Sequence, residues 1–192
     1  TVAGYSPDLI TSPLEGDRLK PRHVDGIVGR AEDADVAVVG PGLGAADETL
    51  EAVGELLPRL DRVVVDADAL REIDAAGEDS EVIATPHAGE LARHVEEVPD
   101  GWRERRAVVE RFADETDAVT LLKGRYDVIS DGEETRVSRT GNPGMTVGGT
   151  GDVLAGVCGA LAARLGSFDA ACVAAFANGR AGDAVVGENG YG

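Results

Sequence analysis

At 192 residues the chain is long enough for one domain with a sizeable core. It carries 36 acidic against 18 basic residues, a formal net charge of −18, which argues against nucleic acid or an anionic membrane as a partner, since both need a positive face. The two cysteines form no Cys/His set with zinc spacing, and there is no signal-peptide pattern, no membrane-length apolar run and no internal repeat.

The basic residues are uneven: Lys20 and Lys123 are the only lysines, and the rest are arginine. Abundant Asp and Glu with almost no Lys is expected of a salt-rich cytoplasm, where charge is screened and acidic surfaces stay hydrated. A halophilic source and a cytoplasmic location are the expectation. Cys158 and Cys172 lie among alanines and read as buried thiols on helices.

In chain order, residues 1–30 show weak periodicity and three prolines, with no clear first element. Residues 36–39 form a short apolar run that reads as a buried strand, followed by the turn Gly40-Pro41-Gly42-Leu43-Gly44. Leu50, Val53, Leu57 and Leu60 recur at helical spacing, predicting a helix over 47–60. Strand, glycine turn and helix make the first half of a βαβ unit, and such turns border the ligand crevice of open α/β sheets. A glycine turn without a ligand would look the same.

Residues 63–65 read as the next strand, ending in Asp66-Ala67-Asp68. Asp68 is expected to cap the following helix, and Asp66 is left open between metal binding and solvation. Residues 82–84 form a third strand leading into Thr85-Pro86-His87-Ala88-Gly89-Glu90. Pro86 suits a helix start, so His87 and Glu90 are expected in its first turn, with His87 facing the crevice. His94 is expected to face solvent, and His23 has no context.

Residues 101–116 read as an amphipathic helix, with Val108, Val109 and Phe112 inward and its arginines mostly outward. Residues 118–122 form a buried strand ending in Lys123-Gly124-Arg125-Tyr126-Asp127. Residues 128–130 and 135–138 flank an Asp131-Gly132 turn and read as a hairpin. In a chain so poor in lysine, Lys123 at a strand end beside glycine suits a phosphate. A lysine in a surface loop is the bland alternative. The last helix is expected over 167–186.

Between the hairpin and that helix, residues 141–165 read as a glycine-rich loop that becomes a buried helix. Gly148 and Gly149 precede Thr150, Gly151 and Asp152, where the helix should start. Unpaired N–H groups and the positive dipole end suit a phosphate there. Asp152 would repel a phosphate, which points to proton handling. A simple cap is the alternative. The eleven residues of 141–151 hold five glycines and no charge, more than a cap requires.

The turn at 40–44, Val65-Asp66-Ala67-Asp68-Ala69-Leu70, Thr85-Pro86-His87-Ala88-Gly89-Glu90, Leu122-Lys123-Gly124, and the loop from Gly141-Asn142-Pro143-Gly144-Met145 to Gly148-Gly149-Thr150-Gly151-Asp152 occur in that order. Together they resemble the NAD(P)H-hydrate dehydratases, carbohydrate-kinase-like repair domains often fused to an epimerase. The resemblance covers nearly the whole chain from Asp35 onward. It implies an α/β protein, a ribokinase-like three-layer α/β/α sandwich with a mostly parallel sheet, forming one domain over 1–192 that lacks its first elements and C-terminal end.

The implied reaction restores hydrated NADH or NADPH, with ADP or ATP as co-substrate and Mg2+ as its companion. The resemblance assigns Gly42, Gly44, His87 and Asp152 to the hydrate, with Asp152 as the base. It assigns Lys123, Gly124, Arg125, Tyr126 and Asp127, and the loop residues Gly148, Gly149, Thr150 and Gly151, to the nucleotide. No residue is assigned to a protein-held metal. A homo-oligomer and a fused or separate epimerase are the expected partners. Asp127 stands where many ADP-using members have threonine, and Ala177-Asn178-Gly179 replaces a histidine-containing segment. A small-alcohol kinase and a non-catalytic nucleotide-binding module are the other two readings.

Overall fold

A computed structural model describes residue 6 and residues 9–190. Six strands form one sheet in the order β1-β2-β3-β4-β5-β6. They are β1 (Ala37–Val39), β2 (Arg62–Val65), β3 (Glu81–Ala84), β4 (Ala118–Leu122), β5 (Asp127–Ser130) and β6 (Thr135–Ser138). The helices are α1 (Val24–Ala31), α2 (Asp47–Leu56), α3 (Ala88–Leu91), α4 (Trp102–Thr116), α5 (Thr150–Ala162) and α6 (Ser167–Asn189). β1 to β4 are parallel, and β4, β5 and β6 pair antiparallel.

Side chains alternate between the two faces of a strand, so one short strand serves two cores. Val63 and Val65 of β2 face a core shared with Val53 and Leu56 of α2 and Val109 and Phe112 of α4. Val64 faces the other, with Ile83, Leu121, Ile129, Leu154 and Cys158 of α5, and Ala171, Ala174 and Ala175 of α6. The result is the three-layer sandwich with a mostly parallel sheet. The second core is lined by small residues because α5 lies close to the sheet. A Cβ at Gly159 would stand 2.8 Å from Val38 Cγ2, closer than packed carbons approach.

β6 is parallel to β4, being antiparallel to β5. The segments after β1, β2, β3, β4 and β6 therefore all leave the sheet at one edge. The five motifs of the family resemblance follow these strands at that edge, where open α/β sheets bind ligands.

Several local expectations differ. Of segment 1–30, residues 1–5, 7 and 8 lie outside the described residues, and the rest includes α1, whose two glycines weaken its helical signal. The helix expected over 47–60 ends at Leu56 and tightens into a 3-10 turn, Leu57–Arg59, because Pro58 has no N–H to continue it. His87 is the N-cap of α3, one residue before its first turn. His94 does not face solvent: its ring tilts against Phe112 at 5.5 Å between centroids, and its buried Nε2 has no partner among the described residues. Cys172 is half-buried, whereas Cys158 is fully buried.

Candidate functional site

The ends of β1 to β4 are stitched together by backbone hydrogen bonds. Asp66 N donates to Val39 O (3.0 Å), Thr85 N to Val65 O (3.1 Å) and Lys123 N to Pro86 O (2.8 Å). Gly40 permits the first of these. Its φ is +132°, and a Cβ there would overlap the backbone carbonyl of Asp66. Gly42 and Gly44 follow with φ of +75° each, and space around both is open.

Behind this edge lies a charged cluster. Asp66 is 2% exposed. Its Oδ1 accepts from Lys123 Nζ (2.8 Å) and from Thr85 Oγ1 (2.9 Å). Lys123 Nζ also lies 3.7 Å from Glu90 Oε2. Glu90 Oε2 accepts from His87 N (2.7 Å), while Glu90 N donates to His87 Nδ1 (3.1 Å). This reciprocal capping box engages the Nδ1 lone pair, so the neutral ring carries its proton on Nε2. Asp66, left open in the sequence, is thus the buried partner of Lys123. Asp68, expected as a cap, instead pairs with Arg71 in the following 3-10 helix at 3.4 Å.

The glycine loop is held from α6. Asp183 Oδ2 accepts from Gly141 N (3.1 Å) and Oδ1 from Asn142 Nδ2 (3.0 Å). These two bonds hold the Asp183 carboxyl below the usual carboxylate range. Asn142 Oδ1 in turn accepts from Gly144 N (3.0 Å), and Thr150 Oγ1 donates to Met145 O (2.8 Å). Gly149, with φ +93°, is the N-cap of α5. Asp152 is therefore in the first turn and is not the cap. It is exposed and makes no side-chain hydrogen bond or ion pair among the described residues.

Lys123, Gly124, Arg125, Tyr126 and Asp127 meet Thr150 and Gly151 around one cleft of about 730 Å³. Gly141, Asn142 and Met145 complete the wall on the loop side, and Asn178 and Gly179 of α6 close it below. Gly148 and Gly149 are exposed beside it, and Gly42, Gly44, His87 and Asp152 lie outside its walls. Asp127 does not project freely into this space. Its Oδ1 accepts from Gly124 N (3.0 Å), closing the turn after β4. Burial pushes its carboxyl up to about 6, against the opposing pull of that hydrogen bond and of Lys123. Cys158, more than two turns further along α5, is pushed up to about 12 by burial and by the Asp66 charge, which makes it an inert thiol.

Thr85, Glu90 and Asp183 belong to this constellation without having been singled out for it in the sequence. Glu90 had a signal, since it follows His87 at capping-box spacing. Thr85 and Asp183 had none, because their partners are distant in sequence. Among the described residues no group of three or more His, Cys, Asp and Glu side chains could hold a metal ion. The donor set fits Mg2+ only as a companion of nucleotide phosphates, which supply most of its ligands in such sites.

A profile of the NAD(P)H-hydrate dehydratase family (Carb_kinase) matches residues 1–192. The chain belongs to that family. It is 49% identical over 191 residues to the bifunctional NAD(P)H-hydrate repair enzyme Nnr of Pyrobaculum aerophilum, a match covering 97% of this chain and 38% of that protein. The chain thus spans well under half the length of this relative. Among solved structures, it resembles an ADP/ATP-dependent NAD(P)H-hydrate dehydratase from Bacillus subtilis, co-crystallised with ATP/Mg2+ and soaked with CoA. That match has a TM-score of 0.72 and 28% identity, covering 84% of this chain and 63% of the other. A ribokinase-like superfamily protein from Enterococcus faecalis V583 aligns with a TM-score of 0.75 at 24% identity, covering 88% of this chain and 62% of that one. This likeness shows the fold alone, and the fold is ribokinase-like.

Proposed function

We propose that this chain performs the nucleotide-dependent dehydration that restores NADH or NADPH from their hydrates. The observation that carries the reading is the cleft between the segment after β4 and the N terminus of α5, with the unpaired Asp152 in that helix's first turn. Membership of the dehydratase family supports it. The nucleotide lies along 123–127, with its phosphates between Lys123 and the loop residues 148–151. Mg2+ supplies charge neutralisation on those phosphates. The N–H groups opening α5 stabilise the transferring phosphoryl group.

Gly42, Gly44 and His87 line the hydrate, and His87 offers its Nε2–H to a substrate oxygen. Asp152 takes the proton of the ring hydroxyl. The hydroxyl oxygen then bonds to the terminal phosphorus as the bond to the leaving nucleotide breaks. Inorganic phosphate next departs with the C–O electron pair, and the neighbouring ring carbon loses a proton, which restores the double bond. The family resemblance favours ADP as the donor, as in most prokaryotic members.

The reading includes one domain over 1–192, a cytoplasmic setting, a homo-oligomer, and an epimerase, fused or separate. The named bifunctionality of the Pyrobaculum relative supports an epimerase link. Among the described residues no helix is long and apolar enough to cross a membrane. The test is to incubate the protein with NADH hydrate and ADP or ATP and follow the absorbance of restored NADH. Nucleotide-dependent recovery is expected. Recovery without nucleotide, or none with either, overturns the reading, and the second result would favour a small-alcohol kinase or a non-catalytic module.

A further inference from the structure

We propose that Asp66 is a positioning residue whose carboxylate presets the Lys123 ammonium at the N terminus of α5, ready for a nucleotide phosphate. This rests on the nucleotide-binding reading above.

A carboxylate as buried as Asp66 is stable only with a charged or hydrogen-bonded partner. Asp66 has both on one oxygen, Lys123 Nζ at 2.8 Å and the fully buried Thr85 hydroxyl at 2.9 Å. Immediately after it, Ala67 takes a left-handed φ of +52°. That conformation is costly for a residue with a Cβ, so the surrounding packing must hold it. The chain therefore maintains this strand end in an unfavourable shape around the carboxylate.

Lysine has a flexible four-carbon stem and would otherwise sample many positions. Here the ammonium is held 3.5 Å from where a Cβ at Gly151 would be, beside the second residue of α5. That point faces the positive end of the helix dipole. A cation fixed there alone would be repelled. Asp66 supplies the standing counter-charge, and a phosphate would supply a second. Asp66 lies outside the walls of the cleft, whereas Lys123 lines it, so Asp66 acts through Lys123.

The experiment is calorimetric titration of ADP and of ATP into the whole chain, with NADH recovery as the parallel readout. Asp66→Asn keeps the shape but removes the counter-charge. Nucleotide affinity should fall about 10- to 100-fold, the range for a charge-assisted hydrogen bond. In NADH recovery Asp66→Asn should raise the nucleotide KM with kcat little changed, the signature of lost ground-state binding. A purely structural defect would instead lower kcat by reducing the folded fraction.

If Asp66 acts through Lys123, Asp66→Asn should cost nothing further in a Lys123→Met background. The doubly substituted chain also removes both buried charges together, which protects its fold. Thr85→Val keeps every charge and should weaken affinity several-fold. Equal losses from Asp66→Asn with and without Lys123, or a loss in kcat with the nucleotide KM unchanged, overturn the proposal. So does unchanged affinity in Thr85→Val, the variant that settles the matter should the charge variants fail to fold. If the parent binds neither nucleotide and restores no NADH, the proposed function has failed instead.

Discussion

The sheet edge presents two kinds of polar group. At the ends of β2, β3 and β4, Asp66, Thr85, Lys123 and Glu90 are buried or nearly so and already satisfied by one another. At the start of α5, Gly148, Gly149 and Asp152 are exposed, and the Asp152 carboxylate has no partner among the described residues. Under the proposed function the difference separates two tasks. A charge that must be in place before a ligand arrives is fixed by pairs that cost nothing to reorganise during reaction. A group that must exchange a proton with a ligand is left free to meet it.

The largest expected effect breaks the free side of this comparison. Asp152→Asn keeps size but cannot accept a proton, and should lower the rate of NADH recovery by about 10²- to 10⁴-fold. Nucleotide binding should persist in calorimetry. Near-parental turnover would show that the unpaired carboxylate is idle.

Asp183→Ala tests whether the glycine loop must itself be held. It removes both bonds from α6 to Gly141 and Asn142. Nucleotide affinity should fall several-fold and limited proteolysis within 141–149 should quicken. No change in either would mean that Thr150 and Asn142 hold the loop unaided.

Asp127 sits between the two regimes, half-buried yet titratable. Unfolded, its carboxyl titrates near 3.8, and folded near 6. Between those values the folded chain holds the proton more tightly, so stability falls as pH rises through the window and the loss is complete above it. Asp127→Asn should therefore be more stable than the parent above about pH 6, by about 1–3 kcal/mol, with the gain gone below about pH 4. Denaturant unfolding at both pH values checks this.

The smallest effect concerns surface charge. The net charge of −18 repels itself when screening is weak. Raising KCl from about 0.1 M to about 1 M shortens the screening length from about 10 Å to about 3 Å. Tm should rise, by roughly 2–4 °C for each kcal/mol gained. A flat or falling Tm would refute the halophilic reading.

Much of this was legible in the chain alone. The βαβ order, every strand of the sheet, the hairpin and the glycine loop follow from apolar runs, turn residues and period, because these are local signals. The five motifs were enough to identify the family resemblance. What needed the fold were the relations between distant residues. Asp66 and Lys123 are far apart in sequence and 2.8 Å apart in space. Nothing in the local pattern around Asp66 distinguishes a buried partner from a solvated acid. His94 read as solvent-facing because periodicity shows neither the end of a short helix nor the Phe112 ring that covers it. Asp183 was one of three acids on a long helix until the loop folded back onto it. The sequence by itself determined the strands, their order and the glycine turns between them, because these are local signals. Only the tertiary structure decided which charges neutralise each other and which stay free, because parallel strand order brings the ends of separate strands to one edge.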